Sequence, residues 1–338
     1  MRTPHRRSLL CLLVVTLLSA CIGPRSADPA PIVRGPLATR VQHPFALTLL
    51  SMRPRRAAVQ PEGSWGKALD LAYSSIHEVK AKGLNAVHFD GETARSSLRL
   101  RHGLGDGWDL ESEVSVLFGT GGFLDAFIEG FHQLFGFPDA GRRLVDRNQY
   151  DMRLRYHGQS VYELTEDDYG FGDIPFVLTK ELRAEKAGRP AVSLRVGLEL
   201  PVGSKRRGFG NGELDFGVGV LLEKSSGRWT TTGALDVLAP GRPDSFRHAD
   251  LSLETVYSIQ AGFEYRWSDE LSLLSQLALT TPFTRDFSME EFSTEMLDFA
   301  LGCAWQREST TLHFAILEDL IAAQGPDFGV QVGASWGF

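Results

Sequence analysis

The residues that could do chemistry are few and scattered. Asp125 and His132 lie seven apart in a stretch with helical periodicity, which puts them on roughly one face. Such a pair could bind a ligand or a metal ion, or act as acid and base; it could equally form the polar edge of a helix facing a wet interior. His157 and Ser160 could be a base and a nucleophile, but a turn is expected between them, and neither GxSxG nor HExxH occurs in the chain. Gly208 to Gly212 (GFGNG) has the glycine content of a phosphate loop without the strand-to-helix context. It follows the basic run Lys205, Arg206 and Arg207, which could meet lipopolysaccharide phosphates or simply be solvated. No Cys/His spacing suits zinc. The remaining candidate is Cys21, at the end of Leu18-Ser19-Ala20-Cys21, the order of the bacterial lipobox, in which the thiol takes a diacylglycerol. From these residues no catalytic group, metal or cofactor is assigned.

The elements that would position these groups begin with residues 1–20. Arg2, Arg6 and Arg7 precede a short apolar run from Ser8 to Leu18, too short to span a bilayer and built as a Sec signal peptide. Ile22 after the cysteine is the setting of a lipoprotein sorted to the outer membrane. Removing residues 1–20 moves the formal charge from −7 to −10. That excludes a nucleic-acid binder, whose phosphate contacts need Lys and Arg. With Cys21 acylated, Cys303 has no intrachain partner. Residues 21–63 carry Pro24, Pro29, Pro31, Pro36, Pro44, Pro54 and Pro61 and read as a periplasmic tether, partly ordered at Pro44–Met52.

From residue 64 the pattern changes to strict alternation, the mark of strands. Trp108, Leu110, Ser112, Val114, Val116 and Phe118 share one face, and Asp109, Glu111, Glu113 and Ser115 the other. Tyr150, Met152, Leu154 and Tyr156 alternate with Asp151, Arg153, Arg155 and His157, and Val192 to Leu200 repeats the pattern. A wall with oil outside and water inside demands this. An arginine facing lipid would cost ~2–4 kcal/mol near the midplane. Arg99, Arg101, Arg153 and Arg155 are therefore expected to face the lumen, with Glu111, Glu113, Glu199, Glu213, Asp215 and Glu254. Fourteen strands are expected, with short turns at one end and long loops, His77–Gly91 among them, at the other. That count depends on splitting 149–165 into a hairpin; without the split it is twelve and the short turns fall on both sides. Gly121–Gly136 is the exception: its apolar residues recur at i, i+3, i+4, an amphipathic helix within the loop 119–148 that either plugs the lumen or lies on the membrane surface. The last strand puts Phe328, Val330, Val332, Ala334, Trp336 and Phe338 on one face, and a terminal Phe is what the barrel assembly machinery reads in outer-membrane barrels.

Several segments resemble a family known as domain of unknown function 3187, a set of uncharacterised Gram-negative outer-membrane barrels. They are Gly35-Pro36-Leu37, Gln42-His43-Pro44-Phe45, Gly103 to Trp108, Gly122 to Ile128, Phe131 to Pro138, Gly170 to Asp173, Leu200 to Gly203, Glu318-Asp319 and Pro326-Asp327-Phe328. The resemblance runs from about residue 35 to the end and is most specific around the helix. It implies the barrel and carries no established activity.

The sequence thus predicts an all-β, antiparallel transmembrane barrel over 64–338 in the outer membrane, in contact with its lipids. The expected role is a passive channel or uptake protein for small, hydrophobic solutes. The alternatives are a closed structural or interaction barrel and a membrane-embedded lipid hydrolase.

Overall fold

The structure, a computed structural model, describes residues 32–135, 147–287, 294–320, 325–326 and 328–338. Fifteen strands among them form one antiparallel sheet: β1 (Trp65–Lys82), β2 (Asn85–Gly105), β3 (Trp108–Thr120), β4 (Asp151–Tyr156), β5 (Gln159–Leu164), β6 (Asp168–Phe171), β7 (Ile174–Arg183), β8 (Ala191–Leu200), β9 (Asp215–Ser226), β10 (Trp229–Ala239), β11 (Val256–Arg266), β12 (Leu271–Thr280), β13 (Met296–Arg307), β14 (Thr310–Asp319) and β15 (Phe328–Trp336). Two short helices accompany them, α1 (Asp125–Phe135) and α2 (Asp244–His248). β1 pairs with β15 from Lys67↔Trp336 to Ser75↔Phe328, and this seam closes the barrel. The closed ring is β1, β2, β3 and β7 to β15, twelve strands.

Of the two counts expected, the second, twelve, is the one found. β4 and β5 do form a hairpin, but it is not part of the wall. β4 pairs with residues 86–90 of β2, above the point where β3 leaves it. Its apolar residues Met152 and Leu154 are fully buried, while Arg155 is exposed and Arg153 half-buried. Those two arginines do not face the lumen as expected; they sit on the outer side of a flap over the barrel mouth. β6 prolongs β7 along β3. The loop expected at His77–Gly91 is instead the continuation of β1 and β2, paired as far as Lys82↔Asn85. At 18 and 21 residues, these strands far exceed the length needed to cross a bilayer.

Elsewhere the connections sort by end. One end has tight turns, such as Asp106–Gly107, where both residues have positive φ (49° and 71°), as a two-residue type I′ hairpin requires. The other end carries the long loops 201–214, 240–255 and 281–295. Outer-membrane barrels put short turns in the periplasm, so both ends of the wall, Trp65 and Trp336, lie on the periplasmic side.

The wall is inside-out. Leu98, Leu100, Val114, Val196, Val218, Leu301 and Phe314 are exposed on its outer face, where lipid would cover them. The lumenal positions are polar and buried: Asp70, Arg95, Arg99, Arg101, Asp109, Glu111, Glu113, Arg195, Glu199, Asp215 and Glu264. Arg99, Arg101, Glu111, Glu113, Glu199 and Asp215 face inward as expected. Glu213 and Glu254 are only half-buried; Glu213 lies at the rim and pairs with Arg247 at 2.5 Å.

Candidate functional site

These inward charges are buried because the N-terminal segment fills the lumen. Residues 32–62, expected to hang below the barrel as a tether, run up through it and back down. The ascending leg enters at the periplasmic end. There the Glu264 carboxylate accepts the backbone N–H groups of Arg34 (3.1 Å) and Gly35 (2.8 Å), and the Arg34 side chain donates to Ser272 Oγ at 3.0 Å and to the Asp269 carbonyl. Leu37 then packs on Leu274, Ala300, Ala304 and Ala315. The segment turns over in a 3-10 turn, Ala46–Thr48, clasped by Arg40, whose Nη2 donates to the carbonyls of Leu47 (3.1 Å) and Leu49 (2.7 Å).

The turn is seated in the apolar underside of the extracellular loops. Phe45 stacks on Phe246 of α2 with centroids 5.1 Å apart and meets Phe283 edge-on at 5.4 Å. Phe89, Met152, Leu154 and Val161 from the overhanging hairpins complete this cap. His43 lies within it, 5.0 Å from the Phe89 ring, and its Nδ1 accepts the Phe45 N–H at 3.2 Å. Burial in this aromatic setting pushes the imidazole down to about 3.

The descending leg is tied to the β2–β10 half of the wall by charge. Asp215 accepts the Leu50 N–H at 2.8 Å. Arg53 pairs with Glu113, which also holds Arg95 at 3.1 Å. Arg55 reaches both oxygens of Asp109, at 2.8 and 3.1 Å, and Asp109 also takes Arg101 (2.6 Å) and the Gln60 N–H (2.9 Å). Arg56 and the Ala57 N–H share Glu223. Arg195, fully buried and paired bidentately with Asp236, donates to the carbonyls of Met52 and Arg53. Bonds to ionised groups are about twice as strong as neutral ones, and here they recur from Leu50 to Gln60.

The other half of the lumen is less full. A cavity of about 100 Å³ lies between the upper parts of the two legs and the wall from β9 round to β15, bounded by Val41, Leu49, Met52, Ala278, Phe283, Met296, Ala300 and Leu317, with Gln42, Gln260, Gln276 and Asp298 among its polar lining. Below it along the same wall are two voids of about 10 Å³ each, room for one water apiece, bounded by Pro36, Leu37, Pro54, Thr232, Gly262 and Leu274. The line of voids ends at the Arg34–Glu264 clasp. The site therefore consists of an asymmetric plug and a tapering path beside it.

The residues singled out from sequence fall elsewhere. Asp125 opens α1 and its Oδ2 accepts the Asn148 N–H at 2.7 Å, closing the loop on itself. His132 is in α1, with its side chain outside the described residues, and Cys21 is also outside them. The helix is not in the lumen. Phe123, just before it, stacks on Tyr73 at 5.5 Å, and Tyr73 belongs to the outward row of Leu69 and Leu71. The Leu124 N–H is held by the outward-facing Glu92 at 2.5 Å. Of the two placements open from sequence, the outer one is found. His157 stands at a tight turn with φ 49°, and Ser160 donates to Glu163 at 2.8 Å, so the pair forms no nucleophile and base. The glycine-rich loop folds round a carboxylate rather than awaiting a phosphate: Asp173 accepts the N–H groups of Gly203 (2.7 Å) and Asn211 (3.0 Å). Lys205 is paired with Asp244 and Arg207 with Asp168. Phe338 leaves the face it was expected to share with Phe328 to Trp336. Gly337 turns the chain at φ 68°, and the last ring lies 5.1 Å from the Arg99 guanidinium at the periplasmic mouth.

Sequence reasoning missed the plug and the cavity. The signal that could have found the plug was the row Arg53, Arg55, Arg56 set against an acidic lumen.

Comparison with solved structures places the fold. The chain is similar to the COG4313 outer membrane channel from Pseudomonas putida F1, with TM-score 0.56 and 16% identity over 85% of this chain and 99% of that one. It also matches the KdgM porin, with TM-score 0.42 and 8% identity over 80% of this chain and 99% of that one. No curated protein matches it. Residues 13–338 match the family described as Protein of unknown function (DUF3187), and the chain belongs to that family.

Proposed function

We propose that this protein is a passive outer-membrane channel or uptake barrel for small, partly apolar solutes, held shut by residues 32–62. The observation that carries this reading is the uneven seating of the plug. The descending leg is bonded to the wall along its length, while the ascending leg is held mainly at its entrance, and a path of voids descends from the cap between the legs and the wall. A pocket of mostly apolar lining with a few polar groups is the usual form of a small-molecule site. The similar Pseudomonas protein is described as a channel, and that agrees with the reading. The test is single-channel conductance in a planar bilayer, whole chain beside a chain lacking residues 33–61. The whole chain should be silent or show brief small openings, and the shortened one steady large steps. Silence in both sinks the channel.

A second reading, a closed structural or interaction barrel, draws on the ion pairs packed into the β2–β10 half. The same recording decides between them.

The export steps belong to this proposal. Residues 1–20 would be removed after Sec export, and Cys21 would be acylated. From Cys21 to Ile32 is eleven residues, at most about 40 Å of extended chain, enough to lead from the periplasmic leaflet to the periplasmic mouth. Incorporation of labelled palmitate that survives in Cys21→Ser would contradict the acylation. Insertion would follow recognition of β15 and Phe338 by the assembly machinery.

A further inference from the structure

The cavity beside the ascending leg has a chemical polarity of its own. On the lumenal face of β11, β12 and β13, residues Gln260, Ala278 and Asp298 form one row: Gln260 is opposite Ala278 and Ala278 opposite Asp298. Gln276 lies two residues from Ala278 on the same face, opposite Ala300. Gln260 and Asp298 thus stand roughly 10 Å apart across a single methyl group. Gln42 adds a polar group to the lining from the plug side.

In each of these four side chains one oxygen is buried and has no hydrogen-bond partner among the described residues: Oε1 of Gln42, Gln260 and Gln276, and Oδ2 of Asp298. The amide orientations of Gln42 and Gln260 are fixed, because their Nε2 groups donate to the carbonyls of Arg40 (2.8 Å) and Met52 (3.1 Å), which only accept. Gln42, Gln260 and Gln276 are all more than nine-tenths buried. An unpaired buried acceptor costs stability, and here four of one kind line one space. None is a donor, and one belongs to a carboxyl group. The rest of the lining includes apolar Val41, Leu49, Val256, Met296 and Leu317 and the charged Arg40, Asp215, Asp236 and Glu318, three acids to one base, with Arg40 Nε the one unpaired donor among the described residues of the lining.

We infer that this cavity binds small amphiphilic amines: an apolar body against the aliphatic lining and a protonated amino group turned to Asp298 and the glutamine oxygens. An ammonium brings three donors and no acceptor, the complement of these four acceptors. A carboxylate of the same shape would bring only more acceptors. The inference deepens the channel reading by naming the solute class, and it rests on that reading only where transport is concerned; binding stands by itself.

The test uses the whole protein in lipid nanodiscs, with binding followed by ligand-observed NMR. The probes are 2-phenylethylamine, 2-phenylethanol and 3-phenylpropanoate, which share a body and differ in the head. The amine should bind tightest, the alcohol more weakly and the carboxylate not measurably. Asp298→Asn should weaken the amine about tenfold, the loss expected when a hydrogen bond to a charged group becomes a neutral one, and leave the alcohol unchanged. Ala278→Phe should abolish all binding. A carboxylate that binds as well as the amine on the unaltered protein overturns the inference, and so does an amine affinity that Asp298→Asn leaves intact. If the amine binds as described while the chain lacking 33–61 stays silent in a bilayer, the channel reading falls and the binding site remains. Steady conductance with no preference for the amine does the opposite: the channel remains and the amine site falls.

Discussion

The descending and ascending legs of the plug run side by side in one lumen, yet they are held by different physics. The descending leg presents Arg53, Arg55 and Arg56 to Glu113, Asp109 and Glu223 and takes further bonds from Arg101 and Arg195. The ascending leg has the Glu264 clasp at its entrance, a 2.6 Å bond from Gln276 to Thr39 and a 3.4 Å bond from Gln331 to Ala38. Voids adjoin it elsewhere, and they reach Met52 and Pro54 of the descending leg from the other side. The legs are linked by Arg53, which donates to the Ala38 carbonyl at 2.8 Å. The lesson concerns buried charge. A buried ion pair adds little over an apolar contact, but breaking one is costly because its partner is stranded. Such pairs fix the descending leg in one position, and the looser leg is the one that strands a charge only at its entrance, at Glu264, when it moves.

Four measurements would break or sharpen this contrast. The largest effect is expected from Asp109→Ala, which strands Arg55 and Arg101 together. It should lower stability by about 3–5 kcal/mol in thermal unfolding of the detergent-solubilised barrel, with no steady opening. If stability barely changes, the descending leg is not held by charge. Next is Glu264→Ala, which releases the ascending leg at its entrance and deletes bonds to a carboxylate worth about 1.5–3 kcal/mol each. It should produce frequent openings smaller than those of the chain lacking 33–61. Openings of full size would mean that both legs leave together. Third, pH should act through the cap. The His43 imidazole is held down to about 3 by burial, below its ordinary 6.5. The seat of the turn is therefore fully stable above about pH 6.5, and stability is lost as pH falls through the window towards 3. Openings should become more frequent across that range, and His43→Asn, which keeps an acceptor for the Phe45 N–H, should flatten the response. The smallest effect is expected from deleting Gly121–Gly136. Since α1 is fastened outside the wall, single-channel conductance should not change; an increase would put the helix back among the plugging elements.

What could be read from the sequence follows the same division between wall and contents. The wall was legible because lipid imposes period two without exception: Val114 must face out and Glu113 in, and the position of Arg99 follows from the cost of the alternative. The strand total was not legible, because β4 and β5 alternate for another reason. Met152 and Leu154 point down onto the cap rather than out into lipid, and a sheet with one dry face has the same period wherever that face is turned. The upper halves of β1 and β2 were hidden because His77, Glu78, Lys80 and Lys82 lie beyond the bilayer and have no lipid to write an apolar row. The plug was least legible of all. A proline-rich, arginine-rich segment has the composition of a tether, and the acids that receive it are spread from Asp109 to Glu264, brought together only by closure of the ring. The cavity was invisible for a related reason: Gln260, Gln276 and Asp298 are far apart in the chain and meet only through strand register.

One contact at the periplasmic mouth bears on how such a molecule is made. The side chain of Gln60, the last stretch of plug before β1, donates to the carbonyl of Gly337, 277 residues away, at 2.7 Å. Beside it the final ring of the chain covers Arg99. The foot of the plug and the C-terminal residues are thus buttoned to each other across the β1–β15 seam. A contact spanning nearly the whole chain is among the most expensive in loop entropy and the last to become available. It forms only when the plug is seated and the final strand is home, so it is a signature of completed manufacture: a barrel that closed with its N-terminus outside would lack this fastening and present an unlocked seam.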